Sequence, residues 1–154
     1  MERILIRIAW FVGLVLVQVL LLNNICLFGL ATPFIYIYFI LALDRDVDRN
    51  ALMAVAFALG LLVDVFSNTP GVNAGASVLV AFLRPSLLRL FAPREEFENF
   101  EPGISVMGVW PFVRYAVVVV LLHHMAAFLL LRILCSTVLT VLLVMAIEFI
   151  RHKR

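Results

Sequence analysis

The chain has 154 residues, of which 65% are hydrophobic and only 14% are charged, and its formal net charge at pH 7 is +2. Soluble globular domains carry about 45–50% apolar and about 25% charged residues, so this composition excludes that class and indicates an integral membrane protein. The apolar runs are continuous rather than alternating, which predicts helices as the spanning elements. Neither the small net charge nor any basic cluster indicates nucleic-acid binding.

Six segments are apolar enough to cross the hydrocarbon core of a membrane, a distance that takes about 20 helical residues. The first lacks a small-x-small cleavage site and is too long for a signal-peptide core, so we expect a retained anchor. Asn23-Asn24 separates the first two segments and Arg132 the last two, which predicts two tight helical hairpins, and the fourth segment is interrupted at Arg84-Pro85. The predicted spans are 4–22, 25–43, 51–66, 72–91, 112–131 and 133–150, in one transmembrane domain over residues 1–154.

The basic residues indicate the orientation of these spans, because cytoplasmic loops retain Lys and Arg. With six spans and the N-terminus inside, only Arg132 of the 12 Lys and Arg residues falls on the outer side. The sequence therefore predicts a compact all-α bundle of six transmembrane helices with both termini in the cytoplasm. The long inner connection, 92–111, alternates Glu with Phe, and both a solvated loop and a contact with headgroups or a cytoplasmic partner fit that pattern.

Asp64 is a carboxylate inside an apolar segment, where insertion costs about 2.5–3.5 kcal/mol, so it needs a partner, a cavity or a function. Counting about 1.5 Å per residue from the inner end of each span places Gln18, Asp64, the pair His123-His124 and Thr140 at similar depth. We expect Asp64 to accept a hydrogen bond from one histidine, with Gln18 or Thr140 completing a buried polar layer. A metal site or a proton relay is the alternative, although the layer offers fewer converging ligands than a transport metal site needs.

The turn after Asp64, Ser67-Asn68-Thr69-Pro70-Gly71, joins two short spans, so we expect either that it dips into the outer leaflet or that the bilayer thins there. Paired short segments interrupted by Gly and Pro form substrate sites in many transporters. A tight outer hairpin requires the same turn residues, so both interpretations stay open at this point.

Sequence signatures of enzymes are missing from the chain. It contains no G-x-S-x-G, HExxH, P-loop or dinucleotide-binding motif, so neither catalysis nor a cofactor is expected. Small-residue stripes such as Ala9-x-x-x-Gly13 and Ala56-x-x-x-Gly60 are typical of closely packed membrane helices, within one bundle or against a partner.

The stretch 60–74 contains G-x-x-x-D followed by a short polar turn with Pro-Gly. Together with the small size and the six-span layout with both ends inside, it resembles the rod-shape-determining protein MreD family. The positions that match the motif are Gly60, Asp64, Pro70 and Gly71.

The resemblance implies a bacterial inner-membrane protein without catalytic activity, which supports cell shape and lateral peptidoglycan synthesis within the cell-elongation complex. Its implied partners are an MreC-like shape protein, a class B penicillin-binding protein and a RodA-type glycosyltransferase, with the actin-like MreB as an indirect partner. The family is also thought to share its fold with the substrate-binding subunits of energy-coupling-factor transporters, so a vitamin-binding membrane subunit is the alternative function. The short outer connections favour the scaffold, because a vitamin-binding subunit would need longer loops to close over its ligand.

Overall fold

The computed structural model describes residues 2–25, 32–92 and 101–152, and all regular structure within them is helical, as the sequence predicts. Parts of the predicted second span (26–31) and of the inner connection (93–100) lie outside the described residues. The helices are α1 (Glu2–Leu20), α2 (Ile37–Ala42), α3 (Arg49–Ser67), α4 (Val72–Phe91), α5 (Ile104–Met107) and α6 (Val109–His152), with a short 3-10 helix, Leu22–Asn24, after α1.

Three helices in the described ranges are long and apolar enough to cross a membrane, namely α3, α4 and the part Val109–Met145 of α6. Helix α1 adds a shorter apolar stretch, Ile4–Leu20. These helices support the assignment of the chain to the membrane proteins. The six-span arrangement and the location of both termini remain predictions.

Helices α3 and α4 form the central hairpin, and Gly60 lets their backbones approach closely. A Cβ atom at Gly60 would lie only 2.6 Å from both the Cα of Ala74 and the carbonyl oxygen of Asn73, which is too close for any side chain. Small residues at such contacts are typical of helix packing in membranes. Helix α6 packs on α4 through a cluster of buried residues that contains Val72, Ala76, Ala126 and Ala127.

The second apolar segment differs from the predicted helix over 25–43. Residues 32–34 have no regular structure, Ile35 and Tyr36 form a turn, and α2 occupies only Ile37–Ala42. Pro33 accounts for this interruption, because it has no N–H to donate and it disfavours the helical conformation at the residue before it. Hydropathy alone predicted a span here because the interrupting residues are themselves mostly apolar.

Helix α6 also differs from the prediction, because it continues through Arg132 instead of turning back. Residues 129–135 contain neither Pro nor Gly, so no local signal ends the helix. Its 44 residues extend about 66 Å, roughly twice the thickness of the hydrocarbon core. Every side chain from 131 to 145, here called the distal part of α6, is exposed.

The predicted interruption at Arg84-Pro85 is not present either, since α4 passes through Pro85 without a break. A proline inside a helix frees carbonyl groups in the preceding turn, which then need other donors. Arg49 provides one, because its Nη2 donates to the carbonyl of Phe82 at 3.1 Å and its guanidinium lies 4.3 Å from the centre of the Phe82 ring.

Candidate functional site

The buried carboxylate of Asp64 lies in the last turns of α3 and caps the first turn of α4. Asp64 is only 2% exposed. Its Oδ1 accepts a hydrogen bond from the backbone N–H of Asn73, and its Oδ2 accepts one from that of Ala74, both at 2.9 Å. Gly71, the N-cap residue of α4, has no side chain for this role. Asp64 is therefore a cap supplied by the neighbouring helix, placed where the helix dipole favours negative charge.

The turn between α3 and α4 directs two more donors to the same carboxylate. The hydroxyl of Thr69 donates to Oδ1 of Asp64 at 2.9 Å, and Nδ2 of Asn73 donates to that oxygen at 3.0 Å. Asn68 and Gly71 adopt left-handed backbone conformations, with φ of 54° and 80°, and this lets the chain reverse within a few residues. The carboxylate thus holds the turn as well as the helix end.

The four motif positions therefore have separate roles. Asp64 binds the turn and the start of α4, Gly71 permits the backbone reversal, and Gly60 permits the close helix contact described above. Pro70 is exposed in the turn, where its fixed φ suits a reversal of the chain. Thr69 and Asn73 complete the site, and neither is among the site residues predicted from the sequence.

The histidines reach Asp64 only through other side chains. The four hydrogen bonds to its carboxylate within the described residues come from Thr69, Asn73 and Ala74, so the predicted direct bond from a histidine is not formed. Instead, the hydroxyl of Tyr36 donates to Oδ1 of Asn73 at 3.1 Å and lies 2.6 Å from Nε2 of His123. The result is a polar chain Asp64–Asn73–Tyr36–His123, which joins α3, α4, the turn before α2, and α6.

The direction of the hydrogen bonds in this polar chain follows from the number of protons that the Tyr36 hydroxyl can donate. A phenolic hydroxyl has one proton, so when Tyr36 donates to Asn73, Nε2 of His123 must be the donor to Tyr36. The amide of Asn73 fits the same direction, because its Nδ2 donates to Asp64 while its Oδ1 faces Tyr36. Nδ1 of His123 is buried without a hydrogen-bond partner in the described part of the chain.

The remaining members of the predicted layer lie apart from Asp64. Nδ1 of His124 is bonded to the carbonyl oxygen of Val120, one turn earlier in α6, at 2.8 Å. Thr140 is exposed in the distal part of α6 and donates to the carbonyl of Ser136 at 2.8 Å. Neither residue contributes to the polar chain, because in each case the polar group is satisfied within α6 itself.

Gln18 is fully buried and binds the interrupted second segment. Its Nε2 donates to the carbonyl of Pro33 at 3.1 Å, and its Oε1 accepts from the N–H of Ile35 at 2.8 Å. The same Nε2 donates to Oδ1 of Asn23, whose amide in turn donates to the hydroxyl of Ser67 at the end of α3. Backbone groups that Pro33 releases from helical pairing are thereby satisfied inside the protein, as a membrane environment requires.

Arg84 is a second buried charge, at a position that the distribution of basic residues assigns to the inner side. It is 1% exposed, although it lies about 18 Å from the start of α4. Its guanidinium donates to the carbonyls of Leu41 and Asp44, both at 3.3 Å, and to that of Leu43. These carbonyls end α2, so Arg84 caps that helix at its negative end. An arginine inside an apolar segment was the available signal, the same signal that identified Asp64.

These buried groups act on the protein's own backbone. Asp64, Gln18 and Arg84 each bind main-chain groups of a neighbouring element at a helix end or an interruption. Within the described ranges, no group of three or more His, Cys, Asp or Glu residues could hold a metal ion. Comparison of the chain with protein-family models, curated proteins and solved structures gives no match.

Proposed function

We propose that the protein is a non-catalytic scaffold of the bacterial cell-elongation complex, a multi-pass protein of the inner membrane that supports cell shape and lateral peptidoglycan synthesis. One observation carries this proposal: the buried side chains of Asp64, Gln18 and Arg84 bind main-chain groups at helix ends or at the interruption of the second segment, whereas the exposed helix faces are apolar. A site for a polar substrate would instead direct such groups into a cavity. Asp64, Gln18 and Arg84 are held in place by three or four hydrogen bonds each to backbone and neighbouring side chains.

The distal part of α6 is the surface that we assign to partner contact. Leu139 is 61% exposed, Leu142 62% and Met145 66%, and polar side chains at Ser136 and Thr140 interrupt this apolar surface. Membrane helices associate through close packing around small residues and through hydrogen bonds between hydroxyl-bearing side chains. The family resemblance names the partners to test, which are an MreC-like shape protein, a class B penicillin-binding protein and a RodA-type glycosyltransferase.

The same helix bears on the proposed six-span topology. A helix of about 66 Å exceeds one hydrocarbon core by roughly a factor of two, and residues 133–145 are too apolar to remain in water. The six-span topology that we propose, with 133–150 as the sixth span and both termini cytoplasmic, therefore requires a reversal at Arg132 on the outer side, where the structure has a continuous helix. A reporter fused after Arg154 tests this: fluorescence of a protein that folds only in the cytoplasm supports the reversal, and activity of a periplasmic phosphatase contradicts it.

Purification from native membranes in mild detergent tests the scaffold function itself. A photo-crosslinking amino acid at Leu139 is compared with one at Phe57, an exposed residue of α3 that serves as the control. Recovery of the shape protein and the penicillin-binding protein, crosslinked from position 139 and not from 57, is the expected result. Co-purification of an ATP-binding cassette module or of a vitamin would contradict the scaffold function and support the alternative, a vitamin-binding subunit of a transporter.

A further inference from the structure

The exposed surface of α6 is apolar between two exposed arginines, Arg114 and Arg132. The exposed residues of this fully described stretch are Val117, Leu121, Met125, Phe128, Leu129 and Leu131. Arg132 follows Arg114 by 18 residues, which is about 27 Å along the helix and close to the roughly 30 Å of one hydrocarbon core. Arginines near the ends of a membrane helix place their charge at the interface, so these two mark the boundaries of the core.

Trp110 lies on the polar side of the boundary that Arg114 marks. It precedes Arg114 by four residues, so it lies on the same face of α6 and about 6 Å further along the axis. It is 73% exposed. The headgroup layers of a bilayer add about 5–7 Å on each side of the hydrocarbon, and tryptophan is enriched there. The position of Trp110 therefore coincides with the headgroup layer.

The segment before α6 stays at this level and does not lead away from the protein. Pro102 and Met107 are buried, and Met107 belongs to the same hydrophobic core as Tyr115. Residues 102–107 are thus held against the end of the bundle where α6 begins. Ile104, between the two buried residues, is 53% exposed, although a fully solvated loop would favour a polar side chain there.

We propose that residues 102–110 lie in the headgroup layer of the inner leaflet, with Trp110 among the headgroups and the Arg114 guanidinium on a lipid phosphate. All phospholipids carry this phosphate, so the contact requires no particular lipid. A guanidinium complements a phosphate in charge and geometry, and the apolar face that continues from Arg114 is at hydrocarbon depth. The proposal does not depend on the scaffold function, which concerns the distal part of α6, and the proposed topology serves only to name the leaflet.

The chain contains only two tryptophans, Trp10 and Trp110, so their fluorescence can report depth. Trp10→Phe leaves Trp110 alone, and a comparison variant combines Trp10→Phe and Trp110→Phe with Leu121→Trp. Leu121 is exposed too, but it lies about 10 Å from Arg114 toward the centre of the hydrocarbon. Each full-length protein is placed in phosphatidylcholine vesicles whose acyl chains carry bromine, a contact quencher, either near the headgroup or near the chain end. Iodide reports exposure to water, and circular dichroism confirms the helical content.

Trp110 should be quenched at least twofold more by bromine near the headgroup than by bromine near the chain end, and the tryptophan introduced by Leu121→Trp should show the opposite order. Arg114→Leu, made together with Trp10→Phe, should bring the two quenching values for Trp110 closer together, because the cation at the boundary is lost. Arg114→Lys keeps that cation and should preserve the difference. The same ratio at positions 110 and 121, or quenching of Trp110 by iodide and by neither lipid, would overturn the proposal.

Photo-crosslinking in native membranes distinguishes a lipid from a protein at this surface. A photo-crosslinking amino acid at position 110 should give adducts with phospholipid. An adduct with another protein as the main product would overturn the proposal even if the depth of Trp110 agreed with it.

Discussion

Replacement of Asp64 tests whether a carboxylate inside the membrane segment acts as a helix cap. Asp64→Ala removes the acceptor from the backbone N–H groups of Asn73 and Ala74, which both lie in the buried first turn of α4. A buried donor left without its acceptor costs about 1–3 kcal/mol, so the two together predict a loss of about 2–6 kcal/mol in the free energy of unfolding. Asp64→Asn keeps one oxygen but turns an amide N–H₂ toward a donor, and we expect a loss of about 1–3 kcal/mol.

Asp48 provides a matched control at the start of α3. Its Oδ2 accepts from the N–H groups of Asn50 and Ala51, so it caps the same number of backbone donors as Asp64 does, but it is exposed. Water can replace an exposed cap, and Asp48→Ala should therefore cost only about 0.5–2 kcal/mol.

Reversible unfolding in mixed micelles with increasing sodium dodecyl sulfate, followed by the helical circular dichroism signal, measures both losses. Comparison of Asp64→Asn with Asp64→Ala also separates the effect of capping from that of the charge, because Asp64→Asn removes the charge while keeping one acceptor. Equal losses for Asp64→Ala and Asp48→Ala would refute the reasoning. Greater stability of Asp64→Asn than of the parent would refute it as well, since it would mean that desolvation of the charge outweighs its hydrogen bonds.

Three further predictions concern the contacts around this cap. Gly60→Ala should destabilise the protein by about 1–3 kcal/mol, because the added Cβ collides with Ala74. Gly13→Ala is the control and should leave the stability unchanged, because no atom lies within 4 Å of its added Cβ. The unfolding titration described above measures both variants. Tyr36→Phe and His123→Ala should be non-additive by about 0.5–3 kcal/mol in a double-mutant cycle, and additive losses would contradict the polar chain. Arg84→Met should unfold the protein at lower detergent concentration than Arg89→Met, a change at an exposed arginine of the same helix, and equal midpoints would exclude Arg84 as the cap of α2.

Hydropathy predicted the helical membrane class because that property depends on composition averaged over long segments. It could not predict where the second segment is interrupted, because Pro33 acts on its immediate neighbours while the apolar average stays high. The contact of Gln18 with the backbone at Pro33 and Ile35 likewise cannot be predicted from the spacing of residues in the sequence, since it joins residues that are 15 and 17 positions apart.

The sequence predicts some members of the polar layer correctly and others wrongly, because depth was estimated only along the helix axis. Counting from helix ends identified Gln18, Asp64 and His123, which are all buried. Depth along a helix says nothing about the direction in which a side chain points, so Thr140 was included although it is exposed. Tyr36 was missed because its hydroxyl was not counted among the polar groups, yet it is the link between Asn73 and His123.

Two buried charges of opposite sign, rather than one, define this fold. Asp64 lies at the positive end of α4, and Arg84 lies at the negative end of α2, so each charge meets the helix end of opposite polarity. Arg84 follows Asn73 by 11 residues on α4, which separates the two capping regions by about 16 Å along the helix axis. At that distance each charge is stabilised mainly by its own helix end and not by the other charge. A charged residue in a membrane span is by default a functional-site hypothesis, but here both charges are explained by the helix ends whose main-chain groups they bind.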